Sequence, residues 1–261
     1  MFPSHDRIVS NNAITKIATK LSDRQNVLRA KAMPYQLLAA YKFGTNAPRE
    51  VSNAIQDAME IATENVPAFE GKKVYVFPDV SGSMKWATGT GGFNSKVRAV
   101  DIAALFSACI LRNNPTAEVI PFDTRVHDKV KLNPRDSVLT TADKLARLAG
   151  GGTAISEPMI HLNKIQAKGD LIIYISDNES WRDRPTRGGG TTLADEWGRF
   201  LSRNPGAQMV CIDTRANNHS QAPNRPHTLN VGGYSDQVFN VIRDFISYGE
   251  QWVDQINMVK L

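Results

Sequence analysis

The sequence predicts an α/β fold, a mostly parallel central sheet with helices on both faces, preceded by a short α-helical segment. Three observations carry this. From residue 74 onward, short apolar runs alternate with segments of helical period, the pattern of β-α-β units. One run, Leu171-Ile172-Ile173-Tyr174-Ile175, is continuously apolar between polar residues, as expected of a strand buried on both faces. Before residue 67 only helical spacing is found.

Within residues 11–66, Ile14, Ile17, Ala18 and Leu21 form one stripe, and Leu37, Leu38 and Tyr41 form a second after Pro34, a residue tolerated in a first turn. A third begins near Pro48 with Val51, Ile55, Met59 and Ala62, and ends before Pro67. Three short helices cannot bury their stripes alone, so they must pack on something else. Residues 1–70 are therefore read as a helical segment and 71–261 as the α/β domain. In that domain strands are expected over 74–77, 118–122, 170–176 and 208–212, with a short edge strand over 125–130. Helices are expected over 94–112, 137–148, 157–167, 192–202 and 236–245.

At 261 residues the chain can bury a substantial core. No run of about eighteen apolar residues occurs, so no transmembrane helix and no membrane partner are expected. The N-terminal Met1-Phe2-Pro3-Ser4-His5-Asp6 has no basic, then apolar, secretory pattern. Cys109 and Cys211 both lie in apolar surroundings and read as core thiols of a reducing compartment, hence a cytoplasmic location. The net charge of +5 permits a polyanionic partner without requiring one.

Asp79-Val80-Ser81-Gly82-Ser83 follows the first strand and offers one carboxylate and two hydroxyls at alternate positions. Alone, such a stretch also reads as a solvated turn. In an open parallel sheet, however, loops at the carboxyl ends of strands converge. Two more loops should meet there: Gly150-Gly151-Gly152-Thr153, and Ser176-Asp177-Asn178-Glu179 after the Leu171–Ile175 run. Asp79, Ser81, Ser83, Thr153 and Asp177 together make an all-oxygen donor set of two carboxylates and three hydroxyls. It suits a hard divalent cation, Mg²⁺ or else Mn²⁺ or Ca²⁺, with waters completing the shell.

These residues resemble the metal-ion-dependent adhesion site of the von Willebrand factor A fold, a Rossmann-type architecture, over residues 72 to about 250. The resemblance implies that Asp79, Ser81 and Ser83 are first-loop ligands, Thr153 the second-loop ligand and Asp177 a direct or water-mediated one. It also implies an open coordination position for a partner's carboxylate. Upstream, Ile17-Ala18-x-x-Leu21-Ser22-Asp23, Val27-Leu28-Arg29 and Met33-Pro34-Tyr35-Gln36-Leu37-Leu38-Ala39-Ala40-Tyr41 resemble the last helices of the TROVE module of the Ro autoantigen family, which runs into an A domain. That likeness implies a ribonucleoprotein and a non-coding RNA partner. Family members carry a long helical ring that supplies most RNA contacts, and only its last helices are found in this sequence. The expectation is a C-terminal half of a longer or split protein, or a reduced member, with a protein partner or the missing ring docking on it.

Two basic stretches are candidate RNA contacts, with a solvated face as the ordinary alternative for each. One is Lys16, Lys20 and Arg24, continuing to Arg29 and Lys31. The other is Trp181, Arg182, Arg184 and Arg187, an aromatic interleaved with arginines that could stack on bases and meet phosphates. Enzymatic readings fare worse. Val80-Ser81-Gly82-Ser83 is not a Gly-x-Ser-x-Gly elbow, the five histidines lack His-Glu-x-x-His spacing, and the glycine-rich 89–96 stretch has the wrong order for a phosphate loop. The expected function is a non-catalytic metal-binding module of an RNA–protein particle. The alternative is an RNA-independent A domain that recruits an acidic protein through its cation.

Overall fold

The computed structural model describes residues 4–86, 96–177, 192–215, 222, 227–234 and 237–248. Its centre is a five-stranded sheet of β1 (Val74–Pro78), β2 (Glu118–Val119), β3 (Leu171–Ser176), β4 (Gln208–Asp213) and β5 (Thr228–Gly232). The strands run in the order β2-β1-β3-β4-β5, and every pairing is parallel. Nine α-helices are described: α1 (Ser4–Ser22), α2 (Arg24–Arg29), α3 (Pro34–Phe43), α4 (Arg49–Ala62), α5 (Ala99–Asn113), α6 (Val138–Ala146), α7 (Glu157–Lys164), α8 (Leu193–Arg203) and α9 (Gln237–Tyr248).

Alternation along the strands sorts the core into two layers. Val74, Val76, Leu171, Ile173, Val210 and Ile212 face the layer built from α3, α4, α5, α6 and α9. Tyr75, Phe77, Ile172, Tyr174, Met209 and Cys211 face the layer of α7 and α8. The N-terminal helices pack into the first layer: Leu38, Met59 and Ala62 are buried in the same cluster as Val100, Ala104 and Leu145. Polar contacts fasten the same junction. Lys42 Nζ lies 2.7 Å from Asp101 Oδ2, and Glu60 Oε1 accepts from the Val138 amide at 2.5 Å. Asn113 Nδ2 donates to the carbonyls of Thr63 and Val66.

Several boundaries differ from those expected of the sequence. Four helices, not three, precede the sheet, because Asp23 accepts from the Asn26 amide and starts a separate α2. The helix expected from residue 94 begins at Ala99, with Arg98 and Asp101 forming a reciprocal cap. The 118–122 strand is regular only over Glu118–Val119, since Pro78 and Pro121 bring no N–H to the ladder. It continues as single bonds, Ile120 N–H to Val76 O and Phe122 N–H to Pro78 O. The expected 125–130 edge strand reduces to one antiparallel bridge between Phe122 and Val126. β5 was not anticipated, because Thr228-Leu229-Asn230-Val231-Gly232 lacks a clean apolar run. Cys109 and Cys211 are buried thiols not joined in a disulfide, and burial pushes the Cys211 thiol up.

Candidate metal centre

The strand order reverses between β1 and β3: the chain leaves β1 toward β2 on one side and β3 toward β4 on the other. Loops diverge at such a switch point and leave a crevice at the carboxyl ends of the strands. Asp79 directly follows β1 and Asp177 directly follows β3, so both carboxylates stand at this crevice. Both are fully buried, as is Ser81.

A chain of short contacts joins them. The Ser81 amide donates to Asp79 Oδ1 at 2.7 Å, and Ser81 Oγ lies 3.1 Å from Ser83 Oγ. Ser83 Oγ in turn donates to Asp177 Oδ1 at 3.2 Å, across 94 residues of sequence. Backbone bonds hold the second loop against the first: Gly82 N–H to Gly151 O at 2.9 Å, and Gly150 N–H to Val80 O at 2.7 Å. Thr153, buried, sits two residues beyond Gly151 on this same loop. The three expected loops thus lie side by side.

Two residues that sequence reasoning passed over shape the site. Ser176 Oγ donates to Asp79 Oδ2 at 2.6 Å, so the carboxylate is oriented from both sides. Asp123, at the end of the irregular β2 extension, supports the second loop. Its carbonyl accepts from the Ala154 amide at 2.9 Å. Its carboxylate accepts from the Arg125 amide at 3.1 Å and lies 3.2 Å from His127 Nε2. Gly151 has a φ of +74°, and a Cβ there would stand 3.0 Å from Asp123 Oδ2, so glycine is required for both conformation and space. The available signal was position: Asp123 follows an apolar strand just as Asp79 and Asp177 do.

The Asp79 carboxyl is pushed up to about 7: burial raises it most, hydrogen bonds from Ser176 and Ser81 oppose this, and the nearby Asp177 charge adds to the rise. No basic side chain forms an ion pair with Asp79 among the described residues. Ionising the buried Asp79 carboxyl near Asp177 is costly, and a cation bound to it would offset that cost. The donor chemistry fits a hard divalent ion: carboxylates and hydroxyls, with no soft ligand. Among the described residues no cluster of three His, Cys, Asp or Glu side chains forms a metal site, so the hydroxyls are essential to any such centre.

Of the candidate RNA contacts, those among the described residues lie on the N-terminal helices. Lys16 and Lys20 are exposed on α1, while Arg24 on α2 is paired with Glu64, its Nε 3.0 Å from Oε1. Trp181, Arg182, Arg184 and Arg187 lie outside the described residues.

Residues 73–246 match the family described as the Ro60 vWA domain, which spans well over half of the chain. The chain belongs to this family. As a Ro-family A domain it shares its fold with the Ro (RSR) protein of Deinococcus radiodurans, at 19% identity and a TM-score of 0.72. That match covers 94% of this chain, so it takes in helices ahead of residue 73, and 49% of the Deinococcus protein. The chain thus spans about half the length of that relative. An aerotolerance-related membrane protein from Bacteroides fragilis is similar at 15% identity and a TM-score of 0.40, covering 69% of this chain and 99% of that protein. Among the described residues of the Ro-family chain, no helix is long and apolar enough to cross a membrane.

Proposed function

We propose that this Ro-like module binds a hard divalent cation, Mg²⁺ or a similar ion, through Asp79, Ser81, Ser83, Thr153 and Asp177, and acts without catalysis in a cytoplasmic RNA–protein particle. The observation that carries the reading is the meeting of loops from β1 and β3 through Ser83 and Asp177. A bound ion would supply an electrophilic position for a partner's carboxylate. The chain's own residues would orient the ligands: Ser176 and the Ser81 amide hold Asp79, and Asp123 holds the Thr153 loop. Basic surfaces would contact RNA or dock a helical ring.

Titration with Mn²⁺, followed by electron paramagnetic resonance and calorimetry, tests the cation. Wild type should bind one ion, and Asp79→Ala and Thr153→Ala should lose it. Equal binding by both variants would sink the reading. RNA that co-purifies with the protein and is released by salt supports the ribonucleoprotein half. A clean protein that captures an acidic ligand only with Mn²⁺ present would favour the RNA-independent alternative. Mg²⁺-dependent turnover of a phosphodiester, abolished by Asp79→Ala, would make it an enzyme instead.

A further inference from the structure

Trp86 is 69% exposed and stands at the rim of the metal centre. A short 3₁₀ turn, Ser83–Lys85, leads to it from the first metal loop, and the Trp86 amide donates to Ser83 O at 3.1 Å. Its own carbonyl accepts from the Ala99 amide at 3.1 Å, so the residue is pinned between that loop and the start of α5. A large indole fixed by its backbone at both sides but left in solvent has no packing role in the core.

A second exposed ring meets the same stretch of chain, residues 96–99. Phe43, at the end of α3, is 51% exposed, and Lys96 Nζ lies 6.0 Å from its ring centroid. Lys85 and Lys96 are exposed. Lys42 and Arg98 converge on one buried carboxylate, Asp101, and the Asp143 charge also acts on Arg98, so among the described residues the free positive charge here is that of Lys85 and Lys96. Two exposed aromatic faces beside the exposed Lys85 and Lys96 match a ligand that has both π faces and regularly spaced negative charge. Paired bases hide their faces, so the ligand must be single-stranded.

We infer that Trp86 and Phe43, with Lys85 and Lys96, form a stacking surface for single-stranded RNA beside the candidate metal centre. The inference rests on the RNA half of the proposed function and adds a place for contact distinct from Trp181 and its arginines. Trp86 would stack on a base, Phe43 would offer a second platform across the junction of α3 and α5, and the lysines would meet phosphates. An acidic peptide would satisfy the lysines but leave the exposed rings without matching partners.

The test is fluorescence anisotropy with the full chain and a labelled oligouridylate, alongside a labelled RNA duplex and a polyglutamate peptide. Wild type should bind the single strand in preference to both. Trp86→Ala should weaken binding about tenfold, within the range for loss of one stacking platform, whereas Trp86→Phe should stay within about threefold of wild type. Lys85→Ala with Lys96→Ala should weaken binding and reduce the salt slope by about 0.7 for each lysine removed. Single-strand binding by wild type that Trp86→Ala leaves intact would overturn this surface while sparing RNA binding elsewhere. No RNA binding by wild type would overturn both it and the RNA half of the proposed function. Duplex binding of equal strength, or polyglutamate binding that Trp86→Ala abolishes, would also overturn it, the latter assigning the rim to a protein partner.

Discussion

Ser176 orients Asp79 through a 2.6 Å hydrogen bond, and Gly151 gives the Asp123 carboxylate its space. Neither residue is a candidate ligand, yet each controls where a ligand sits. Removing a group that orients a metal ligand commonly weakens affinity by about ten- to a hundredfold. Ser176→Ala is therefore expected to weaken Mn²⁺ binding by that factor with little loss of fold; an unchanged dissociation constant would show that Asp79 needs no such support. Gly151→Ala combines a left-handed backbone with a clash against Asp123. It should cost about 1–3 kcal/mol in stability, read from urea denaturation, and weaken the cation as well. At this scale the oxygen donors were legible in the sequence, because Asp-x-Ser-x-Ser, Gly-Gly-Thr and Ser-Asp each follow a recognisable strand or glycine turn. Ser176 and Asp123 were not, since their roles depend on partners far away in the chain.

At the scale of elements, the joint between α3 and α5 turns on Asp101. Burial pushes its carboxyl up, but hydrogen bonds from Arg98 and Lys42 outweigh this and hold it below its ordinary value of 3.8. A carboxyl lowered in the folded state contributes stability that is present above the unfolded value and is lost as pH falls through the folded one. The stability gap between wild type and Asp101→Asn should thus be steady near neutral pH and close below about pH 4. A gap that stays constant to pH 2.5 in urea melts would show that the ion pairs contribute nothing. The helices themselves were legible from their stripes. Their limits were not, because Asp23 and Arg98 end or start helices through caps rather than through apolar period. β2 is irregular for a similar reason, the absence of N–H groups at Pro78 and Pro121.

For the whole molecule, the question is whether the N-terminal helices and the sheet form one cooperative body. Leu38, Met59 and Ala62 share one buried cluster with residues of α5 and α6, and Glu60 accepts from the first amide of α6. One unfolding transition is therefore expected in calorimetry. Met59→Ala should lower the stability of that single transition by about 2–5 kcal/mol. Residues 71–261 alone should melt at a lower temperature or aggregate, because the side of α5 that α3 covers would be exposed. A fragment as stable as the full chain would make the helices a mere appendage. The sequence by itself determined the α/β class and the dependence of the helices on another surface, and it named a candidate set of oxygen donors. All three are written in local period or in side-chain chemistry. Only the tertiary structure decided that the Gly82 and Gly150 amides lock two loops together, that Ser176 and Asp123 stand behind the candidate ligands, and that Lys42 and the Trp86 carbonyl meet the first turn of α5. Such contacts join residues widely separated in the chain, and their geometry leaves no periodic trace for the sequence to display.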